Sequence, residues 1–315
     1  LFINDEPVQG TLCFETYGTD FVWTGPRYWK ILFPLGGVVT LYCMYLIALY
    51  RRGKRHIFIT MAEMFEKYRF LMRQLVSRDF KIKYKRSVLG VLWSFVNPLF
   101  MMLVQYVVFS TIFQTDIPNY PVYLLTGIVL FNFFNESTNI SLYAITGNAG
   151  LITKVYVPKY IYPMSKVFSG GINLLISLIP MLILAFATGI RFKKAWLLLP
   201  YVLCCLFVFC MGMAFLLSAV MVFFRDMQFI WSVFCMVFTY ATPIFYPESI
   251  LPETMRGILA VNPMYHYICF FRTIILYGIS PQPRQFFICA LFSVIFLGAG
   301  VGVFRKLQDR FIFYI

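Results

Sequence analysis

Long runs of apolar residues, separated by short polar loops, occupy most of this 315-residue chain. A bilayer core about 30 Å thick requires about 20 apolar residues per helix, and several runs reach that length without Asp, Glu, Lys or Arg. The pattern therefore predicts a polytopic membrane protein with about seven transmembrane helices. The predicted spans are residues 31–50, 87–115, 117–135, 167–190, 195–224, 227–247 and 285–304.

A different pattern fills residues 59–86, where apolar and charged positions alternate with helical spacing. The apolar positions are Met61, Met64, Phe65, Tyr68, Leu71, Met72, Leu75 and Val76. We expect an amphipathic helix in the cytoplasmic interface, with its apolar face in the acyl boundary and its cations near anionic headgroups. A helix packed on another subunit is the alternative.

Composition and charge agree with a membrane protein. Of the residues, 60% are hydrophobic, 20% aromatic and 13% charged, which excludes an ordinary soluble domain. The net charge of +14 does not indicate a nucleic-acid partner, because the cations cluster in loops between spans.

Loop charge orients the chain. The cations of loop 51–86 place that loop in the cytoplasm, which puts residues 1–30 outside and the C-terminal tail inside. One loop carries Arg191, Lys193 and Lys194 on the predicted outer side, against the rule. These cations either contact an anionic group there or are a tolerated exception.

The sequence lacks the motifs that are typical of metal binding, ATP binding, catalysis and ion coupling. The eight cysteines form no CxxC pair and two distant histidines form no HExxH pattern, so no metal site is predicted. There is no phosphate-binding GxxxxGK[ST] loop and no legible catalytic triad. The predicted spans hold no ionisable residue, apart from Glu136 at the edge of the third, that could couple transport to an ion. The protein is either powered by another chain or a passive pore.

Five ordered motifs resemble one family. They are RDFKIKYKRSVLGVLWSFVNPL at 78–99, LITKVYVPKYIYP at 151–163, the pair Arg225 and Asp226, TPIFYP at 242–247, and NPMYHYICFFR at 262–272. Together they resemble the permease subunits of ABC-2 type polysaccharide exporters, the family that exports O-antigen, capsule and teichoic acid. The resemblance covers about residues 60–310.

The resemblance implies an all-α ABC-2 permease fold of the type V ABC exporter class, with outer re-entrant helices in residues 243–272. It implies a permease of the bacterial cytoplasmic membrane that exports lipid-linked polysaccharide or teichoic acid. The permease would work as a homodimer with two copies of a nucleotide-binding ATPase subunit. ATP and Mg would be bound by that partner, and this chain would have no cofactor and no catalytic activity of its own.

The resemblance also suggests two groups of cytoplasmic residues. A basic rim where the pyrophosphate of a lipid-linked substrate is attracted comprises Arg78, Lys81, Lys83, Lys85 and Arg86. A coupling helix that docks on the ATPase comprises Gly150, Leu151, Ile152, Lys154, Val155 and Tyr156. Alternatively, the rim cations only anchor the span to the inner leaflet, and the second group is an ordinary connecting loop.

Aromatic residues are the third candidate group, because the resemblance places the second and sixth spans beside the transport path. The candidates are Trp93, Phe95, Tyr106, Phe109, Phe113, Phe238, Tyr240, Phe245 and Tyr246. Sugar rings can lie against aromatic faces, although lipid contact and core packing are the default roles of such residues. At the outer end, the resemblance implies that Glu248, Glu253, Arg256 and Arg272 face an aqueous vestibule.

The N-terminal part departs from the six-span family pattern, since it adds span 31–50 and an outer segment. Strand-like alternation in residues 14–25 suggests a small hairpin. The chain begins with Leu1, so a segment upstream of it is an open alternative. We expect the chain to divide into three parts. Residues 1–58 form the added outer segment and span, residues 59–86 form the amphipathic interface helix, and residues 87–315 form the transmembrane domain. The functional alternatives are an ABC-2 exporter of small lipophilic compounds, a passive channel and a membrane glycan-modifying enzyme.

Overall fold

The computed structural model describes residues 2–3, 6–7, 57–85, 90–113, 117, 119–154, 157–248, 257 and 259–314. The predicted span 31–50 and hairpin 14–25 lie outside the described residues. So do three candidate site residues, Arg86, Val155 and Tyr156, and the two expected vestibule residues Glu253 and Arg256.

Nine α-helices are described, and the prediction of an all-α fold is confirmed. They are α1 Ile57–Tyr84, α2 Leu92–Phe113, α3 Tyr120–Leu142, α4 Ala149–Ile152, α5 Ile161–Ala187, α6 Leu199–Phe223, α7 Met227–Ala241, α8 Pro263–Arg272 and α9 Pro283–Leu307. Shorter helical turns follow the 3₁₀ pattern at Thr146–Asn148, Lys194–Leu198 and Gln308–Phe313, and the π pattern at Thr273–Tyr277. Near the N-terminus, β1 (Phe2–Ile3) pairs antiparallel with β2 (Glu6–Pro7).

Membrane-spanning length is found in four helical stretches of the described ranges, and a membrane location is confirmed. They are Leu92–Ser110, Ile161–Ala187, Lys194–Phe223 and Pro283–Phe313. Helix α3, with 23 residues, is also long enough, but its second half is polar and includes Glu136. The total of about seven spans therefore stays a prediction.

The sixth predicted span, 227–247, is shorter than expected. Helix α7 has 15 residues and ends at Ala241, after which Thr242 is extended. Pro243 is the physical reason, since proline has no N–H for the helical ladder and disfavours helical backbone in the residue before it. Residues 242–247, hereafter the TPIFYP segment, continue as non-helical backbone.

Helix α6 forms the centre of the bundle and packs most extensively along α9. Two glycines allow the close approach: a Cβ on Gly300 would lie 2.1 Å from the carbonyl oxygen of Gly212, and a Cβ on Gly212 would lie 2.4 Å from the backbone of Phe296. Small residues commonly bring membrane helices this close. Helices α3, α5 and α2 complete the bundle, and α7 and α8 cover α3.

The interface helix α1 packs against α5. Met72 and Leu75, which were expected to face acyl chains, are buried in the protein core instead. Phe70 and Ile82 remain exposed. The apolar face of α1 is thus covered in part by the chain itself, because α5 offers an apolar surface beside it.

Candidate functional site

Asp79, near the C-terminal end of α1, binds two cations at the predicted cytoplasmic face. Its carboxylate accepts from Lys166 of α5 at 2.7 Å and from Arg78 at 3.1 Å. The Asp79 and Lys166 side chains are only 11% and 12% exposed. Low exposure strengthens the attraction within the pair and makes an unpaired charge costly. This pair fixes α1 to α5.

A second polar contact joins α1 to α3. Lys83 lies 2.6 Å from the carboxylate of Glu136, which also accepts from Asn173 at 2.6 Å. Tyr84 donates to the Asn173 side-chain oxygen at 2.9 Å. Burial, with a smaller contribution from the Glu136 charge, raises the pKa of Tyr84 to about 12. Glu136, at the edge of the predicted third span, is therefore paired with a cation of α1.

These contacts divide the described cations of the candidate basic rim into two groups, those with partners in the protein and those that are exposed. Arg78 and Lys83 bind groups of the protein itself. Lys81 and Lys85 are exposed, and no side-chain partner holds them within the described ranges. Of the rim cations that the structure describes, these two lysines remain available to an external anion.

The candidate coupling residues begin beside the same network. The side chain of Asn148 accepts from Arg78 at 3.1 Å and donates to the carbonyl of Ala144 at 2.8 Å, and α4 follows directly. Gly150 and Lys154 are exposed, Leu151 is half-buried and Ile152 is buried. The exposed side of this short helix points away from the bundle.

The C-terminal tail is held beside this loop by Lys159. Its ammonium donates to the carbonyl of Gln308 at 2.6 Å and lies 5.8 Å from the ring centre of Phe311. Burial lowers the pKa of Lys159, with Asp309 opposing that shift. The loop and the tail thus pack together at the predicted cytoplasmic end.

At the opposite end, the structure brings together several candidate aromatics from α2, α7 and the TPIFYP segment. Phe245 stacks on Phe109 of α2, with ring centres 5.4 Å apart, and lies 6.5 Å from the ring of Tyr240. Tyr246 donates to the backbone carbonyl of Tyr240 at 2.6 Å. Tyr106 packs on Tyr120 of α3 at 5.9 Å.

The other candidate aromatics lie elsewhere. Trp93 is exposed at the start of α2, and Phe95 is half-buried. Phe238 packs into a cluster with Phe131 and Phe134 of α3. Phe113 is the last residue of α2, and only its backbone is described.

Arg272 is a correction to the sequence interpretation. It does not face an aqueous vestibule, because it is 2% exposed and is buried within the bundle, at the predicted outer end. Its guanidinium sits 3.5 Å from the ring centre of Tyr123. It donates to the carbonyls of Pro243 and Ile244, both at 2.8 Å, and of Tyr123 at 3.2 Å. The sequence signal that could have indicated this burial is a single arginine at the end of an apolar stretch.

Comparisons with known proteins agree with the resemblance. The family described as ABC-2 type transporter matches residues 71–276. The chain is 33% identical to the O-antigen export system permease protein RfbA of Myxococcus xanthus over 246 residues, covering 78% of this chain and 95% of that protein. It is 30% identical to RfbA of Klebsiella pneumoniae over 242 residues, covering 76% and 93%. Identity to the polysialic acid transport protein KpsM of Escherichia coli is 23%, covering 78% and 96%.

Proposed function

This chain belongs to the ABC-2 type transporter family, whose permease subunits work in the inner membrane with a partner ATPase, and we propose from this that it exports a cell-surface polysaccharide. The observation that carries the proposal is its similarity to O-antigen export permeases along nearly their whole length. Similarity to a polysialic acid transporter extends the same substrate class to capsular polymers.

The ATPase would dock on the candidate coupling residues. Gly150 on the short helix α4 and Lys154 just after its end are both exposed, and Asn148, which precedes that helix, accepts a hydrogen bond from Arg78 of α1. Movement of this helix would be transmitted directly to α1, and to α5 through the ion pair between Asp79 and Lys166. Two ATPase copies would act on a homodimer of the permease.

The substrate would carry its polymer on a lipid and reach the protein at the basic rim. Lys81 and Lys85 are exposed beside the predicted cytoplasmic face, where a phosphate or pyrophosphate headgroup lies. Exposed aromatic residues on α2 and α7, Tyr106 and Tyr240, would then line the path between two permease copies. Sugar rings slide over such surfaces without tight binding at any one point.

The test of coupling is ATP hydrolysis by the permease reconstituted in lipid with its ATPase. We expect Lys154→Glu and Tyr156→Ala to weaken association and hydrolysis, because both changes fall on the proposed docking helix and its continuation. Lys194→Glu is the matched control, since Lys194 is an exposed cation in a predicted outer loop. Equal effects of Lys154→Glu and Lys194→Glu would contradict the docking assignment.

Substrate class is tested in cells that lack the permease gene. Complementation with the wild-type chain should restore polysaccharide at the cell surface, detected with a lectin or antibody. Restored ATPase activity with extrusion of a lipophilic dye and no surface polymer would favour the small-compound exporter instead.

A further inference from the structure

An apolar cavity of about 290 Å³ lies among α3, α6, α7 and α9, beside the start of α8. Five phenylalanine rings form its wall, and each ring lies against the next with centres 4.9–5.7 Å apart. In order along the wall, they are Phe296, Phe209, Phe134, Phe238 and Phe234. Apolar cavities about half this size bind small hydrocarbons. The cavity is therefore large enough for part of a hydrocarbon chain.

Asn262 is the polar side chain of the lining, and both of its polar ends already bind protein groups. Its amide nitrogen donates to the hydroxyl of Thr242 at 2.9 Å, and its oxygen accepts from the backbone N–H of Tyr265 at 3.2 Å. Water and sugar hydroxyls gain little in such a space, because they need several polar partners there. A methylene chain would instead gain contacts with the rings. The lining thus favours a hydrocarbon ligand.

The cavity runs from the predicted outer end of the bundle to its middle. Ala241 and Val261, which are both exposed, lie at the outer end, where α7 stops and the chain approaches α8. Phe134, Met213 and Phe296 lie near the midpoints of α3, α6 and α9. The bilayer core is about 30 Å thick, so each leaflet contributes about 15 Å. The cavity therefore covers the depth that one acyl chain occupies in one leaflet.

A cation lies beside the outer mouth of the cavity. Arg284 is exposed at the start of α9, about 18 Å along that helix from Phe296. Burial lowers the pKa of His266, and the nearby charge of Arg284 adds to this shift. The Nε2 of His266 donates to the carbonyl of Ala260 at 2.9 Å, and Ala260 directly precedes Val261. A lipid phosphate at headgroup level would therefore lie near the Arg284 cation.

We propose that this cavity binds one acyl chain of an anionic phospholipid from the outer leaflet, with the phosphate near Arg284 and the methyl end near Met213. Phe234 and Val261 are exposed beside the cavity, so the chain can enter sideways from the membrane. The depth of the cavity favours such a lipid over a polyprenyl carrier, whose longer chain would extend beyond Met213 and Phe296. The proposal requires only a membrane location, so it does not depend on which substrate is exported.

Photolabelling from a chosen depth tests the site. The full chain is reconstituted in liposomes of phosphatidylethanolamine and phosphatidylglycerol, with a trace of phosphatidylglycerol that carries a diazirine at the end of one acyl chain. After illumination, mass spectrometry of fragmented peptides identifies the labelled residues. We expect label on Met213, which is 8% exposed and is therefore not accessible to lipid that only surrounds the protein. Met211, equally buried on the same helix but outside the lining, is the control, and label on Met213 no stronger than on Met211 would overturn the proposal.

A side chain that fills the mouth is the second test. Ala241→Trp should reduce labelling of Met213 about tenfold or more, because the acyl chain must displace an indole that occupies its space. Ala299→Trp is the matched control, since Ala299 is an exposed alanine of α9 outside the lining and its replacement should leave labelling unchanged. Each variant must elute as a single peak in gel filtration, and Val261→Trp replaces Ala241→Trp if the latter does not fold. Wild-type labelling of Met213 in the folded variant would refute the site.

Competition by unlabelled lipids identifies the occupant. Phosphatidylglycerol should displace the label from Met213 at about fivefold lower concentration than phosphatidylethanolamine, the effect of one cation near the headgroup. Arg284→Met should remove this preference, whereas Arg191→Met, which removes an exposed cation of loop 188–193, should keep it. An unchanged preference in Arg284→Met would overturn the placement of the phosphate. Displacement by polyprenyl phosphate but not by phosphatidylglycerol would show that the occupant is an isoprenoid, against the proposal.

Discussion

Charged side chains within or beside the helical bundle are stabilised in different ways. Asp79 and Lys166 neutralise each other, Glu136 is neutralised by Lys83, and Arg272 is held by carbonyls and a ring. Each solution avoids an unpartnered charge, which costs several kcal/mol in a low-dielectric setting. These residues are therefore sensitive to replacement in a way that exposed rim lysines are not.

The ion pair of Asp79 gives the residue-scale prediction. Asp79→Asn should destabilise the protein by about 3–5 kcal/mol, because it leaves the Lys166 cation poorly compensated. Lys166→Met combined with Asp79→Asn should cost less than the sum of the single changes. Thermal unfolding in detergent measures the effect, with Lys81→Met as the exposed control. Additive losses would show that the two charges do not interact.

Contacts between elements are set largely by small residues and by helix ends. The glycines of α6 and α9 let the two backbones touch. Lys193, one of the cations that breaks the positive-inside pattern, donates to the carbonyl of Tyr277 at 2.9 Å, at the end of the π turn after α8. A cation at a helix C-terminus is favourable. The exception in loop charge thus has an intramolecular role, at least for Lys193.

The glycine row of α9 gives the element-scale prediction. Gly300→Ala should destabilise the protein by about 1–3 kcal/mol, since its Cβ would overlap the Gly212 carbonyl and force α6 and α9 apart. Gly298→Ala and Gly302→Ala on the same helix serve as controls, because a Cβ added at either position meets no neighbouring atom within 4 Å. Thermal unfolding of the three variants is the measurement. Similar losses in all three would refute the close contact.

The whole molecule has two chemically different ends. The ion pairs of α1, the short helix α4 and the C-terminal tail meet at one end. The stacked rings of Phe109 and Phe245 and the buried Arg272 lie at the other, with loop 188–193. Loop charge assigns the first end to the cytoplasm.

Orientation is the prediction at this scale. Lys194→Cys, in a background without other cysteines, should react with a membrane-impermeant maleimide added to intact spheroplasts. Thr153→Cys should react only after the membrane is permeabilised. Both positions are exposed, so accessibility reports sidedness rather than burial. The reverse labelling pattern would invert the assigned topology.

Sequence alone was sufficient for the membrane class, the all-α fold and the family. Apolar runs of bilayer length and five ordered motifs are local properties of the chain, and each can be read without knowing what packs on what. Helix ends were predicted less well: α7 stops at Ala241 because Pro243 interrupts it. The polar half of α3 was placed at the edge of a span rather than in a helix that continues to Leu142.

Only the tertiary structure determined which charged side chains bind partners within the protein. Arg78 and Lys83 resemble Lys81 and Lys85 in the sequence, yet the first two bind Asn148 and Glu136 across the fold. The sequence suggested that Arg272 faces an aqueous vestibule. In the structure its side chain is buried and donates hydrogen bonds to two carbonyls of the TPIFYP segment. Such roles depend on contacts between residues far apart in the chain, and periodicity carries no information about those partners.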